Sequence, residues 1–133
     1  MGLITLLSSN PTVFILVAVS LIFALCVHEF SHGIIAYHYG DDTAYKNGRL
    51  TLNPLNHLDP IGSLMILFIG FGYAKPVPVN PYNLNNPRMD MIKVAAAGPI
   101  SNFILSFFGV ILFTLFFKIG IITEHIETFF LFF

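Results

Sequence analysis

Three ionisable side chains fall within five residues of an otherwise apolar run: His28, Glu29 and His32. In an α-helix, residues four apart lie one turn apart on the same face, so the two imidazoles can converge on one ion. Glu29 is turned by about 100° from His28 around the helix axis. It can therefore stand beside the ion as a base rather than in front of it as a ligand. This is the H-E-x-x-H arrangement, two zinc-binding histidines with a glutamate as general base. Zinc lowers the pKa of bound water to about 7, and the carboxylate takes the proton as the water attacks a peptide carbonyl. The competing reading is a pair of core histidines with satisfied hydrogen bonds. It is weak inside a membrane span, where a charged side chain costs about 2.5–3.5 kcal/mol and ionisable groups default to function.

Other residues offer less. His38 stands six positions after His32, the spacing of a metzincin third histidine, but that pattern needs Gly at position 35 and this chain has Ile35. On an unbroken helix His38 points away from the His28–His32 face. His57 and Asp59 lie in a later loop and are the weaker candidates for a third ligand. Asn102, three positions beyond Pro99, can orient substrate or a ligand, or can bond the carbonyl that Pro99 frees. Cys26 is the only cysteine, which excludes a disulfide framework and a cysteine-based zinc site.

Two long apolar elements must position these groups. Asn10 and Pro11 read as an N-cap and first helical residue. From residue 12 to 39 there is no Pro and only one Gly, and Gly40 closes the run as a C-cap. About 28 residues at 1.5 Å each give roughly 42 Å, enough to cross a bilayer. Residues 91–117 form the second span, interrupted early by Gly98 and Pro99, with a small-residue face at Ala95, Ala96, Ala97 and Gly98 that admits a close neighbour. Between them, the apolar stretch 61–71 is too short to cross. Gly70, Phe71 and Gly72, followed by a Pro-rich stretch, argue against helix and for a re-entrant β-like hairpin or loop beside a wet cavity. A polar connection follows the second span, and the apolar run 129–133 reads as the start of a third.

Of the residues, 56% are hydrophobic and 10% charged, against about a quarter charged in a soluble domain. Lipid must therefore be the solvent for much of the surface. The formal net charge of −1, without a basic block, excludes a nucleic-acid partner. The first Lys or Arg is Lys46, so the N-terminus lacks the positive region of a signal peptide. Lys46, Arg49, Lys75 and Arg88 lie between the two spans, and the positive-inside rule makes the 40–90 region cytoplasmic. His28 and His32 then sit roughly 10–17 Å deep from the cytoplasmic helix end.

The order of short motifs resembles the site-2 protease family of intramembrane zinc metalloproteases, especially its short prokaryotic branch. His28-Glu29-Phe30-Ser31-His32-Gly33 is followed by Gly48-Arg49-Leu50-Thr51-Leu52-Asn53-Pro54 and by His57-Leu58-Asp59-Pro60-Ile61-Gly62. Then come Gly72-Tyr73-Ala74-Lys75-Pro76-Val77-Pro78-Val79-Asn80-Pro81 and Ala97-Gly98-Pro99-Ile100-Ser101-Asn102. The resemblance implies cleavage of transmembrane protein substrates within or near the bilayer, with zinc on His28 and His32 and Glu29 as base. It also implies that Gly70, Phe71 and Gly72 form a hairpin near the active site, where a strand edge could hold unwound substrate; the plainer alternative is a lipid-facing turn.

The family's third ligand is an Asp in a later Asn-x-x-Pro-x-Pro-x-Leu-Asp-Gly segment, and no such motif follows Asn102. Glu124 and Glu127 in the polar connection are read as interfacial. The expectation is therefore one membrane-embedded domain over residues 1–133, lacking its C-terminal part, with a third ligand from a longer chain or an oligomer. The fold expected is all-α and integral to the cell membrane, with two full spans and a re-entrant β-like loop. The function expected is a zinc-dependent intramembrane endopeptidase. The rivals are a catalytically incompetent membrane adaptor of the same fold and a metal-handling membrane protein.

Overall fold

In the computed structural model, residues 2–120, 126 and 131 are described. They form five α-helices: α1 Ile4–Ser9, α2 Pro11–His38, α3 Thr43–Lys46, α4 Pro60–Phe68 and α5 Pro87–Lys118. Two 3-10 turns, Pro54–Asn56 and Pro81–Asn83, punctuate the connection between α2 and α5. No strand occurs among the described residues. The expected start of a third span at 129–133 lies outside them except for Leu131, as do Glu124 and Glu127.

The long helices begin and end where their local chemistry dictates. The Asn10 side chain accepts from the Val13 N–H at 3.2 Å, and Pro11 occupies the first helical position, where its missing donor costs nothing. α2 stops at His38, and Gly40 turns the chain with φ +105°. Only glycine adopts that conformation easily. α5 is capped by Asn86 and runs without a break through Pro99. The interruption expected at Gly98 and Pro99 is absent, because a helix packed on a neighbour tolerates the one lost amide bond. Both α2 and α5 are long and apolar enough to cross a membrane. On α5, Phe103, Phe107, Val110 and Phe117 are exposed, as residues facing lipid would be.

α2 and α5 pack antiparallel. His28 meets Asn102, His32 meets Val94, and Lys93 lies over the Tyr39 ring at 4.4 Å. Below this line of contacts Ala36, Leu84 and Val94 form a small buried core.

The connection differs from expectation in one element. Residues 60–68 are helical, not a hairpin. Asp59 caps α4 by accepting from the Gly62 N–H at 2.9 Å, and Pro60 starts the first turn. Gly70, at φ +99°, ends α4. Gly72 then doubles back on Gly62, so close that a Cβ on Gly72 would lie 2.2 Å from the Gly62 carbonyl oxygen. The paired glycines serve close packing of loop against helix rather than a β-turn. Residues 71–80 are neither helix nor strand.

Candidate metal centre

α2 presents two adjacent working faces, each defined by residues four apart. His28 and His32 face α5; Glu29 and Gly33 face the connecting segment. The two imidazoles meet edge to face with ring centroids 4.7 Å apart. One ligand atom each from His28, Glu29 and His32 lie within 4.8 Å of one another, a group that could hold a metal ion. No other His, Cys, Asp or Glu joins it among the described residues.

The α5 side of the cluster is a stripe with the same four-residue spacing: Val94, Gly98 and Asn102. Gly98 is the clearing. A Cβ there would stand 2.5 Å from His28 Nε2 and 2.5 Å from His32 Nε2, so both nitrogens point into space that glycine alone leaves open. The Nδ1 atoms are engaged on either side of it. His32 Nδ1 lies 2.7 Å from the Val94 carbonyl oxygen. A carbonyl only accepts, so Nδ1 carries the proton and a neutral His32 has a bare lone pair on Nε2. That is the form a metal requires, and a hydrogen bond to the far ring nitrogen is the usual support of a ligating histidine. His28 Nδ1 lies 3.2 Å from Asn102 Nδ2. The open space at Gly98 and the tautomer of His32 fit a metal ion facing the two Nε2 atoms.

Glu29 is buried at 9% exposure, and its Oε2 accepts from the Val77 N–H at 3.1 Å. Gly33, one turn on, lets Leu50 and Val77 approach the helix: a Cβ there would meet them at 3.0 and 3.3 Å. The segment carrying Val77 is fixed at three more points. Arg49 Nη2 donates to the carbonyls of Lys75 and Pro76 at 2.9 and 3.3 Å. The Lys75 N–H donates to the His57 carbonyl at 2.8 Å, and the Asn80 N–H donates to Asp41 at 2.8 Å. Asp41 is 1% exposed. Burial pushes its pKa up, but bonds from the Thr43 hydroxyl, the N–H groups of Asn80 and Thr43, and the Asn83 amide outweigh this and hold it below the ordinary carboxylate value.

The weaker sequence candidates have other employment. His57 is fully buried, with Nε2 bonded to the Thr51 carbonyl at 2.6 Å. Asp59 caps α4. Asn102 does not bond a carbonyl freed by Pro99; its side chain turns to His28. Gly70 follows the end of α4, Gly72 packs on Gly62 in its first turn, and Phe71 is 66% exposed. The residue that reaches Glu29 is Val77, five positions beyond Gly72. Sequence reasoning missed Val94 and Gly98 as neighbours of the histidines. Their spacing of four with Asn102 was the available signal.

Two histidines and a glutamate of α2, facing a second membrane-length helix, form an H-E-x-x-H group that could hold a metal ion. The chain is 50% identical over 97 residues to the Bacillus subtilis protein named "Putative zinc metalloprotease YwhC". It is 35% and 32% identical to the proteins named "Putative zinc metalloprotease Rip2" of Mycolicibacterium smegmatis and Mycobacterium tuberculosis. These matches take in 73%, 71% and 71% of this chain, but span only 44%, 38% and 38% of the relatives. The chain is a homologue of these proteins over the matched region. No family model and no solved structure matches it.

Proposed function

We propose that this chain is the metal-binding core of a zinc-dependent endopeptidase that cuts transmembrane protein substrates in the cell membrane. His28 and His32 hold the ion through Nε2, and Glu29 is the general base. The observation that carries the reading is the convergence of both Nε2 atoms on the Gly98 clearing, with a carboxylate in the same cluster. When bound, zinc polarises a peptide carbonyl and acidifies water. The protein's own groups do the rest. The Val94 carbonyl keeps the His32 lone pair directed at the clearing, and the Val77 N–H orients Glu29 to take the proton of the attacking water. α5 screens the histidines from lipid.

Catalytic zinc normally has three protein ligands. The third is to come from a segment outside the described residues or from a second subunit. Substrate must be unwound to present its backbone. Residues 75–80 are poor hosts for strand addition, since the N–H groups of Lys75, Val77 and Asn80 are already bonded. Exposed Phe71 between Gly70 and Gly72 is the better substrate contact, and the 40–90 region faces the cytoplasm.

The test is zinc content of the detergent-purified chain beside a His28→Ala/His32→Ala variant. Near-stoichiometric zinc in the first and none in the second supports the metal role. No zinc in either overturns it for this polypeptide and favours the membrane adaptor. That rival draws on the lack of a fourth acid or histidine in the cluster among the described residues; the retained Glu29 speaks against it.

A further inference from the structure

The working face of α2 does not end at the histidines. On the N-terminal side of the cluster, α2, α4 and Leu3 at the head of α1 leave a groove of about 350 Å³ between them. Ala18, Leu21, Ile22 and Leu25 form the α2 wall. Leu3 and Ile66 belong to the other, tied together by the Leu3 N–H donating to the Ile66 carbonyl at 3.3 Å. The lining is apolar except at Ser63. Leu21 is 42% exposed, so the groove opens outward. Ala18 to Leu25 lie about 20–30 Å from the His38 end of α2, at a depth that only a molecule within the bilayer reaches.

Two runs of chain carry this groove to Glu29. Seven and four residues separate Ala18, Leu25 and Glu29, so the three share one face of α2, and Leu25 stands one turn, about 6 Å, before Glu29. On the other wall, the lining residue Leu58 follows His57, whose carbonyl accepts from the Lys75 N–H. Val77, two residues on, donates to Glu29. We infer that the groove seats apolar side chains of a transmembrane protein segment, and that Leu21 and Leu25 thereby set which residues lie next to the bond that is cut. A lipid acyl chain is as apolar, but it has no use for a carboxylate at the end of the groove; a peptide bond does. Aliphatic and aromatic residues are accepted there and charged ones refused, since only Ser63 could meet a polar group. The role in cleavage rests on the proposed protease function; the seating of the segment does not.

The chain has no tryptophan, so a single introduced one reports alone. Leu21→Trp places it in the groove, and Phe107→Trp, on the exposed face of α5, is the control. Each protein is reconstituted in phosphatidylcholine vesicles with brominated acyl chains, which quench indole fluorescence on contact. A synthetic membrane-spanning peptide of leucine and alanine with lysine ends is titrated in, and helical circular dichroism checks folding. The expected result is a saturable recovery of fluorescence in Leu21→Trp and none in Phe107→Trp. Recovery in neither leaves lipid as the occupant and overturns the inference. Equal recovery in both overturns it too, as does a Leu21→Trp protein that the lipid never quenches, because another part of the protein then fills the groove. Ser63→Phe, added to Leu21→Trp, narrows the groove and should raise the titration midpoint about 10–200-fold, the span one methylene commands in an apolar pocket. An unchanged midpoint in the folded double variant counts against the inference, and the first comparison decides if that variant does not fold. Zinc content is read on the same vesicles. Recovery without zinc upholds the groove and removes the protease reading; zinc without recovery does the reverse.

Discussion

The two Nε2 atoms that matter most here owe their setting to a residue with no side chain. Replacing Gly98 by Ala inserts a methyl 2.5 Å from both Nε2 atoms. Either the rings swing away or α5 retreats. Overpacking of this kind costs about 1–3 kcal/mol, so Gly98→Ala should lower the thermal midpoint and abolish the zinc uptake expected of the wild type, read by metal analysis and a melting curve. Glu29→Gln separates binding from catalysis. The amide oxygen still accepts from the Val77 N–H, so fold and zinc content should persist. Peptide hydrolysis should fall by about 10²–10⁴-fold, the usual worth of a general base. The His28, Glu29 and His32 cluster was legible in the sequence because helical spacing alone fixes which side chains share a face. Gly98 was legible only as a small residue. That it faces two imidazoles depends on the register of another helix, which no local pattern states.

Among the elements, α2 and α5 follow from their caps and apolar runs, and the structure ends α2 at His38 with Gly40 at positive φ, as the sequence indicates. α4 does not follow so directly. Its glycines resemble turn signals, yet they are needed where Gly62 and Gly72 touch backbone to backbone. The segment 71–80 has no ladder to hold it and depends on Arg49 and Asp41 instead. Arg49→Ala should leave the Lys75 and Pro76 carbonyls unpaired, and the Val77 amide should exchange its hydrogen faster while amides in the middle of α2 are unchanged. Asp41 adds a pH dependence. Its folded-state pKa is depressed, so its contribution is complete above the unfolded value of about 4 and is lost as the pH falls through the lower native value. Acidification below about pH 4 should therefore release the Asn80 amide to exchange, and Asp41→Asn should flatten that response.

At the scale of the whole molecule, the apolar composition is explained by where the surface goes. Most large side chains on the outer face of α5 have no protein neighbour to cover them, which is ordinary in lipid and untenable in water. The basic residues cluster in the connection, so a cysteine placed there should react with membrane-impermeant reagent only from the cytoplasmic side. Asn47→Cys, in a chain whose buried Cys26 is changed to Ala, tests this in spheroplasts against inverted vesicles. Labelling from the outer side would reverse the topology. No third ligand was legible, because, Glu29 apart, no other His or acidic residue stands at helical spacing from His28 and His32 in the sequence.

The antiparallel contact of α2 and α5 has one more implication. Val94, Gly98 and Asn102 meet His32, both rings and His28 in sequence, like the marks of a vernier scale. A slip of one helical turn, about 5.4 Å, would bring Val94 or Asn102 to the place of Gly98 and fill the gap with a branched side chain. The pair of helices can thus be aligned in a single way if both imidazoles are to share an ion. Bound metal would act as a pin through that alignment, and a bilayer that changes the tilt of one helix against the other would be felt at the histidines as misregistration.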